Sequence, residues 1–555
     1  MLSLSERVNV ASALEDRAHE QPEQVAIYYP AGRGMDGQTR YVHYTYRQLL
    51  DESDAIARGL ERLGIRRGMR TVLMVKPSLE FFALAFGMVR AGIVPVIVDP
   101  GMGIRNLKTC LAEAEPEAFI GIPTAHVARL LLGWARQTLK HRVMVGPSVP
   151  FAGPTLVEVK QLGTDGSAYQ TAATHADETA AIIFTSGSTG VPKGVVYTHG
   201  NFAAQLQMLR TAFGIQPGEI DLPTFPVFAL FDPALGMTTV IPEMDFTRPA
   251  RVHPPNIIEP IQRFGVTSMF GSPALLNRVG RYGEAQGVQL PSLRRVLSAG
   301  APVPAKVIAR FAKMLAPDVQ LYTGYGATEA LPVAWLGSQE ILGETAAQTD
   351  QGAGVCVGYP IAGMEAQIIS ISDASVPTWN AARPLPTGEI GEIVVKGPSV
   401  TRAYYNRPQA TALAKIEDSE AVRHRMGDLG YFDAQGRLWF CGRKAHRVSL
   451  ADETLFTVPL EAIFNTHPQV FRTALVGVRL AGTLTPVLCV ELEADQRQLD
   501  RNLISEELCA LAANHPQAAR IQTFLFHPAF PVDIRHNSKI FREKLAVWAA
   551  QQLAR

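Results

Sequence analysis

Between Tyr46 and Leu63 the apolar residues fall at positions 46, 49, 50, 55, 56, 57, 60 and 63, a largely helical period that gives the segment one buried face. A short run of buried-strand character follows at Thr71 to Val75, a helical stretch at Glu80 to Ala91, and a second strand-like run at Val94 to Val98. Strands and helices alternating in this way predict an α/β chain with parallel sheets covered by helices on both faces. Ala181 to Phe184 is another apolar strand, and it runs directly into a loop rich in glycine and hydroxyls. Ligands in such folds sit where strand ends release their loops. Further on, Ser372 to Pro386 is rich in Pro, Asp, Asn and Thr and leads into Thr387-Gly388-Glu389-Ile390-Gly391-Glu392-Ile393. That stretch reads as loop and turn ahead of a β-rich part of the chain. No tandem repeat or low-complexity tract interrupts the pattern.

The loop after Phe184 reads Thr185-Ser186-Gly187-Ser188-Thr189-Gly190-Val191-Pro192-Lys193-Gly194. Its glycines let backbone N–H groups turn inward, its four hydroxyls add donors, and Lys193 adds a mobile cation, a set that can cradle a triphosphate. Two commoner glycine signatures do not fit. A P-loop needs Gly-Lys followed by Ser or Thr, whereas Lys193 precedes Gly194. The dinucleotide pattern G-x-G-x-x-G is completed neither at Gly187 to Pro192 nor at Gly324 to Glu329. A flexible surface loop would account for the Ser and Gly content, but not for the attached Pro192-Lys193-Gly194.

This segment resembles the phosphate loop of the acyl-adenylate-forming superfamily, which includes acyl-CoA synthetases, luciferases and peptide-synthetase adenylation domains. Further motifs recur in the family's order. Ser298-Ala299-Gly300-Ala301-Pro302 resembles its adenine-binding turn, and Tyr322-Thr323-Gly324-Tyr325-Gly326-Ala327-Thr328-Glu329 resembles its Tyr-Gly-x-Thr-Glu segment. The resemblance implies ATP contacts from Thr185, Ser186, Gly187, Ser188, Thr189, Gly190 and Lys193, and from Gly300, Ala301, Pro302, Tyr325, Gly326 and Thr328, with Tyr325 stacked on adenine. It assigns Mg²⁺ to Glu329, whose hard carboxylate oxygen suits that ion. Arg425-Met426-Gly427-Asp428 resembles the Thr-Gly-Asp segment, with Met426 in place of the usual Thr, and implies that Asp428 grips the ribose hydroxyls. Gly442-Arg443 resembles the start of the hinge motif, where the guanidinium of Arg443 would meet ribose or phosphate. His536-Asn537-Ser538-Lys539-Ile540-Phe541-Arg542 resembles the Gly-Lys-[IV]-x-[RK] element near the family's C-terminus, which makes Lys539 the lysine that stabilises charge at the reacting phosphate.

The resemblance covers nearly the whole chain. It implies a large N-terminal domain of layered sheets and helices, residues 1–442, and a small mobile α+β domain, residues 443–555, that carries Lys539. The implied chemistry is activation of a carboxylic acid as an acyl-adenylate. A carboxylate oxygen must approach an α-phosphate that is itself negative. Mg²⁺ on Glu329, the loop hydroxyls with Thr185 among them, and the Lys539 ammonium would offset that repulsion as pyrophosphate leaves. No side-chain nucleophile is required.

Departures from the family pattern bear on the second half-reaction. Ala445 stands where many acyl-CoA synthetases carry a hinge Asp or Lys, and Val448-Ser449-Leu450-Ala451-Asp452-Glu453 replaces a glycine-bearing loop that shapes the pantetheine tunnel. Coenzyme A is therefore a doubtful acceptor. Ala229 follows Pro226-Val227-Phe228 where many acyl ligases have His. Phe225 to Pro233, with this altered hinge, looks most like the olefin-biosynthesis branch, the β-lactone synthetases. That resemblance implies a long-chain 2-alkyl-3-hydroxy acid whose own 3-hydroxyl attacks the adenylate and closes a β-lactone. It also implies assembly with thiolase-like and hydrolase-like pathway enzymes. A long-chain fatty acyl-CoA or acyl-AMP ligase stays open, as does a non-catalytic nucleotide-binding protein. So does an amino-acid-adenylating enzyme, because Phe231-Asp232 lies where some of those place an Asp for the substrate amine, although no Gly-Gly-x-Ser carrier motif follows. The plainer account of Asp232 is a buried ion pair with an arginine. Phe228, Ala229, Phe231 and Gly271 are the expected acyl-pocket residues, although core packing explains the apolar series equally well. Apolar lining without a fixed cation suits an alkyl chain.

At 555 residues, 47% hydrophobic and 19% charged, the chain can bury several cores. A net charge of +1 offers no general field for nucleic acid or anionic lipid. Five scattered cysteines without C-x-x-C spacing suit reduced thiols in a cytoplasm. Neither a secretory apolar region at Met1 to Arg7 nor a clean spanning segment is present, since Phe81 to Val98 is broken by Arg90, Gly92 and Pro95. His199, beside the loop, is expected to be a structural residue capping the next helix.

Overall fold

In a computed structural model the chain is described over residues 8–165, 167–185, 192–480, 482–493, 500–532 and 539–554. The helix anticipated at Tyr46 spans Tyr46–Arg62, opened by a capping box in which Thr45 Oγ1 accepts from the Gln48 N–H at 3.2 Å. Its apolar stripe, including Leu49, Ile56 and Leu60, is fully buried. The neighbouring strands and helix fall at Arg70–Met74, Leu79–Arg90 and Val94–Ile97, each within about a residue of the expected bounds.

These strands belong to a six-stranded sheet in the order His141–Met144, Ala118–Gly121, Arg70–Met74, Val94–Ile97, Thr179–Phe184, Gly194–Thr198. All its pairs are parallel except the last, which folds back antiparallel across the phosphate loop. A second sheet has fourteen strands. Its first block, from Val25–Arg33 through Thr238–Val240, Ile220–Pro223, Ser268–Phe270 and Arg295–Ala299 to Gln320–Ala327, is parallel. From Ala330–Gly337 onward it runs antiparallel through Val355–Pro360, Leu438–Arg443, Ala421–Phe432, Gly391–Lys396 and Glu365–Ile369. The parallel expectation therefore holds for the first half only. Short turns join Gln320–Ala327 to Ala330–Gly337 and Ala421–Phe432 to Leu438–Arg443, which obliges those neighbours to pair antiparallel.

Past these sheets, Val470–Leu480, Thr483–Leu492 and Thr523–Phe526 form a three-stranded sheet covered by the helices Thr457–Phe464, Arg501–Ala512 and Arg542–Leu553. It buries hydrophobic clusters of its own, around Leu488 and around Val487. The overall class is α/β with a small α+β unit at the C-terminal end. Arg542 anchors the last helix by pairing with the buried Glu461 through both guanidinium nitrogens, at 2.5 and 2.8 Å. Among the described residues, no helix is long and apolar enough to cross a membrane.

Candidate active site

A cavity of about 1580 Å³ opens at the strand ends where these units meet. Thr185, Lys193, Gly300, Tyr325, Gly326, Thr328, Glu329, Arg443 and Lys539 all line it, so most of the expected nucleotide residues converge on one space. Ala301 and Pro302 follow Gly300 but do not line the cavity. Ser186, Gly187, Ser188, Thr189 and Gly190 lie outside the described residues. The neck of their loop is described, and it is closed by the Thr185 N–H donating to Lys193 O at 3.0 Å and the Lys193 N–H donating to Thr185 Oγ1 at 3.3 Å.

Strand register explains how Asp428 and Arg443 come together, for they are direct partners across Ala421–Phe432 and Leu438–Arg443. Arg443 Nη1 lies 3.0 Å from Asp428 Oδ1, and the Tyr325 hydroxyl donates to Asp428 Oδ2 at 2.8 Å. Burial raises the Asp428 carboxyl above its usual range, while Arg443, the Tyr325 hydroxyl and Lys539 oppose that rise. Lys539 thus stands close enough to Asp428 for its charge to be felt. Tyr325, expected to stack on adenine, keeps its ring on the cavity wall while its hydroxyl is committed to the acid beneath.

Around Glu329 the structure adds residues that no motif signalled. Tyr404 donates to Glu329 Oε1 at 2.6 Å, and Thr401 donates to the Glu329 carbonyl through its N–H at 2.9 Å and its hydroxyl at 3.0 Å. The Lys193 ammonium lies 4.8 Å from the centre of the Tyr404 ring, a cation–π distance. Behind them Lys415 donates to Thr401 Oγ1 at 3.3 Å; burial pushes its amine down to about 7, against the pull of Glu329. His424, its partner in register, is held neutral by burial and by Lys415, with Nδ1 3.2 Å from the Ala414 carbonyl. No group of three or more His, Cys, Asp or Glu side chains gathers to hold a metal among the described residues. Mg²⁺ carried on phosphates needs only one or two carboxylates from the protein. Glu329 on the cavity wall meets that need.

The acyl side departs further from expectation. Phe228 and Phe231 line the cavity, and Phe228 packs edge-on against Phe225 and Phe270 with ring centres 4.9 and 4.8 Å apart. Ala229 does not reach the wall; it is buried in the core cluster that includes Phe82 and Ile241. Gly271 also sits off the wall, and a Cβ there would meet Leu276 Cδ2 at 2.9 Å. The cavity instead touches several apolar clusters, two of them on its acyl side away from the nucleotide residues' motifs. One presents Met74, Val98, Met102, Leu107, Ile122 and Trp134; the other presents Leu209, Ile215, Phe231, Leu235 and Met237.

Asp232 is buried on this wall as expected, but its partner is no arginine. It faces Asp221, and Thr239 Oγ1 donates to Asp232 Oδ2 at 3.0 Å. Burial and the neighbouring carboxylate raise Asp232 strongly, and burial pushes Asp221 up to about 7. His199 is structural without being the cap. Thr198 caps the helix His199–Phe213 with Asn201, and His199 Nδ1 accepts from the Val10 N–H at 3.4 Å. Ala445 lines the cavity, and Val448 to Leu455 forms a small hairpin of two two-residue strands.

A family model described as AMP-binding enzyme matches residues 14–405. The chain is 54% identical over 552 residues to an olefin beta-lactone synthetase of Stenotrophomonas maltophilia, covering 98% of each protein. It is 53% identical over 550 residues to an olefin beta-lactone synthetase of Xanthomonas campestris pv. campestris, again covering 98% of each. Among solved structures, the amide bond synthetase McbA from Marinactinospora thermotolerans superposes with a TM-score of 0.78 at 22% identity, over 97% of this chain and 99% of that one. That likeness speaks to the fold.

Proposed function

The chain belongs to the AMP-binding enzyme family and is an AMP-forming, acid-activating ligase, and from that premise we propose that it converts a long-chain 2-alkyl-3-hydroxy acid to a β-lactone. The observation that carries this reading is the breadth of the cavity's apolar lining, which adjoins the nucleotide residues and is drawn from several hydrophobic clusters. A straight-chain acid needs one apolar channel, whereas an acid with a second alkyl group on its 2-carbon needs two. Its volume, about 1580 Å³, exceeds the ~300–1,000 Å³ of an ordinary single-ligand cleft. The full-length likeness to two olefin beta-lactone synthetases supports the same product.

In the proposed reaction Asp428 and Arg443 hold the ribose, while Lys193 and Thr185 hold phosphate oxygens. Lys539 approaches from the C-terminal unit, residues 443–555, and offsets charge as the acid's oxygen meets the α-phosphate. Mg²⁺, when bound through Glu329, would neutralise the polyphosphate. The substrate's 3-hydroxyl then attacks the acyl carbon and AMP departs. No thiol takes part, which accords with Ala445 and the short Val448–Leu455 hairpin at the hinge.

The test is product analysis by NMR after incubation with ATP, Mg²⁺ and a long-chain 2-alkyl-3-hydroxy acid, with and without coenzyme A. A β-lactone formed without coenzyme A is the expected result. A thioester formed only with coenzyme A would overturn the proposal in favour of an acyl-CoA ligase.

A further inference from the structure

The buried acid pair on the acyl wall has no task in the chemistry above. Asp221 lies mid-strand in Ile220–Pro223, flanked in register by Thr239 on one neighbouring strand and Ser268 on the other. Asp232 reaches it from the helix Phe231–Leu235. Both are over nine-tenths buried, and both line the cavity. Of the cavity-lining residues from Leu209 to Met237 and from Ser268 to Ser272, these two alone carry acidic or basic side chains. Resting on the ring-closing reading, we infer that the Asp221–Asp232 pair binds the substrate's hydroxyl and accepts its proton as that oxygen closes on the acyl carbon.

Two carboxyl groups in contact away from water cannot both ionise, so the pair holds one proton and one negative charge. It therefore offers an acceptor and a donor side by side, which matches a hydroxyl, itself both donor and acceptor. Among the described residues no cation neutralises the pair. Arg17, on the helix Ser12–Glu20, is bonded to Glu20 at 2.6 Å, and Glu219, earlier on the Asp221 strand, is paired with Arg295. Tyr46, packed from the helix Tyr46–Arg62, donates to the Met237 carbonyl at 2.8 Å. A purely structural carboxylate would be better served by one of these cations. An acid lifted toward neutrality is instead the proton acceptor that general-base catalysis favours.

The step balances. The hydroxyl O–H bond breaks and its proton passes to Asp221. The freed electron pair forms the new C–O bond at the acyl carbon, and the acyl C–O bond to AMP breaks with its pair on AMP. The doubly protonated acids return one proton to water after release.

Asp221→Asn and Asp232→Asn keep the shape of a protonated carboxyl, so both variants are expected to fold, as a melting curve will show. With ATP, Mg²⁺ and the 2-alkyl-3-hydroxy acid, pyrophosphate release, hydroxylamine-trapped adenylate and lactone are followed together. Asp221→Asn should still release pyrophosphate and accumulate trappable adenylate, while lactone formation falls about 10²–10⁴-fold. Asp232→Asn should shift the rising limb of the lactone pH profile to higher pH, because an amide is a weaker hydrogen-bond donor to the Asp221 anion than the carboxyl it replaces. Lactone and adenylate in wild-type proportion from Asp221→Asn would overturn the inference. So would a parallel fall of pyrophosphate and lactone without adenylate accumulation. Should Asp221→Asn fail to fold, an unmoved pH profile in Asp232→Asn would overturn it. Absence of lactone from the wild-type protein would overturn the proposed function itself, a result distinct from all of these.

Discussion

At the nucleotide end of the cavity, Asp428 is buried against a guanidinium at 3.0 Å and a phenol at 2.8 Å. At the acyl end, Asp221 is buried to the same degree against a second carboxyl. Charge complementarity opposes the effect of burial on the first acid, and the proposed function gives it the hydroxyls of a bound ribose. Like-charge contact makes the second a proton store, poised to gain or lose a proton near neutrality. On the proposed function, one cavity separates two tasks that a single electrostatic environment could not serve: gripping a nucleotide through permanent charge, and handling a proton beside an alkyl chain.

The sharpest break in that contrast is Lys539→Ala. Removing the ammonium that Lys539 brings to the nucleotide end should lower adenylate formation by about 10²–10³-fold, the usual cost of losing a preorganised charge-stabilising donor. ATP binding should persist. Pyrophosphate release and ATP affinity, measured side by side, check this, and normal turnover would remove Lys539 from the chemistry. Asp428→Asn comes next. It keeps the shape and discards the charge that faces Arg443, so ATP affinity should weaken about 10–100-fold, the range for losing a hydrogen bond to a charged group. Unchanged affinity would mean that the ribose lies elsewhere.

The convergence at one end of the cavity was legible in the sequence because Lys193, Glu329, Asp428, Arg443 and Lys539 are each the charged member of a recognisable segment; four of them line the cavity, and Asp428 lies against Arg443 without lining it. Their neighbours were not. Tyr404 bonds Glu329 from an isolated bridge, and Lys415 and His424 stand behind it as partners in register, which no local spacing reveals. At the acyl end a single turn of 3₁₀ helix, Phe228–Leu230, decides which residues face the cavity, and three residues are too few to show a period. Phe228 was placed on the wall correctly and Ala229 incorrectly for that reason. Asp221 carried a faint signal, a lone acid in the buried strand Ile-Asp-Leu-Pro, but its partner Asp232 becomes evident only when the helix folds over it. In the fold, local periodicity found the parallel half; the antiparallel half depended on pairings between distant segments.

The acid pair also predicts a pH signature in stability, smaller than either catalytic effect. Folded Asp221 holds its proton up to about pH 7, whereas an unfolded Asp releases it near 3.8, so the folded state binds more protons between those values. Stability from this source is therefore complete at low pH and is lost as pH rises through that window, by at most about 1.4 kcal/mol per pH unit. Asp221→Asn lacks the titrating group. Its melting temperature should gain on the wild type steadily from about pH 4 to pH 7, and a constant difference across that range would mean that the two carboxyls do not share a proton.

The smallest expected effect is the most discriminating for the hinge. Ala445 lines the cavity inside the turn Lys444–His446, and that turn is pinned from behind. Lys444 and Arg425 both pair with the buried Glu392, at 3.0 and 2.6 Å, and Arg447 pairs with Asp373 at 2.6 Å. Ala445→Asp restores the acidic residue that many thioester-forming relatives carry there, yet it leaves both this network and the adjoining hairpin in place. A carboxylate alone opens no channel for a pantetheine arm. Lactone formation should stay within about threefold of wild type, since the new charge sits on a solvent-accessible wall where its interactions are screened. No thioester should form with coenzyme A. Efficient thioester formation by this variant would mean that the tunnel survives behind Ala445, and that the two ends of the cavity differ in charge but not in the acceptor they admit.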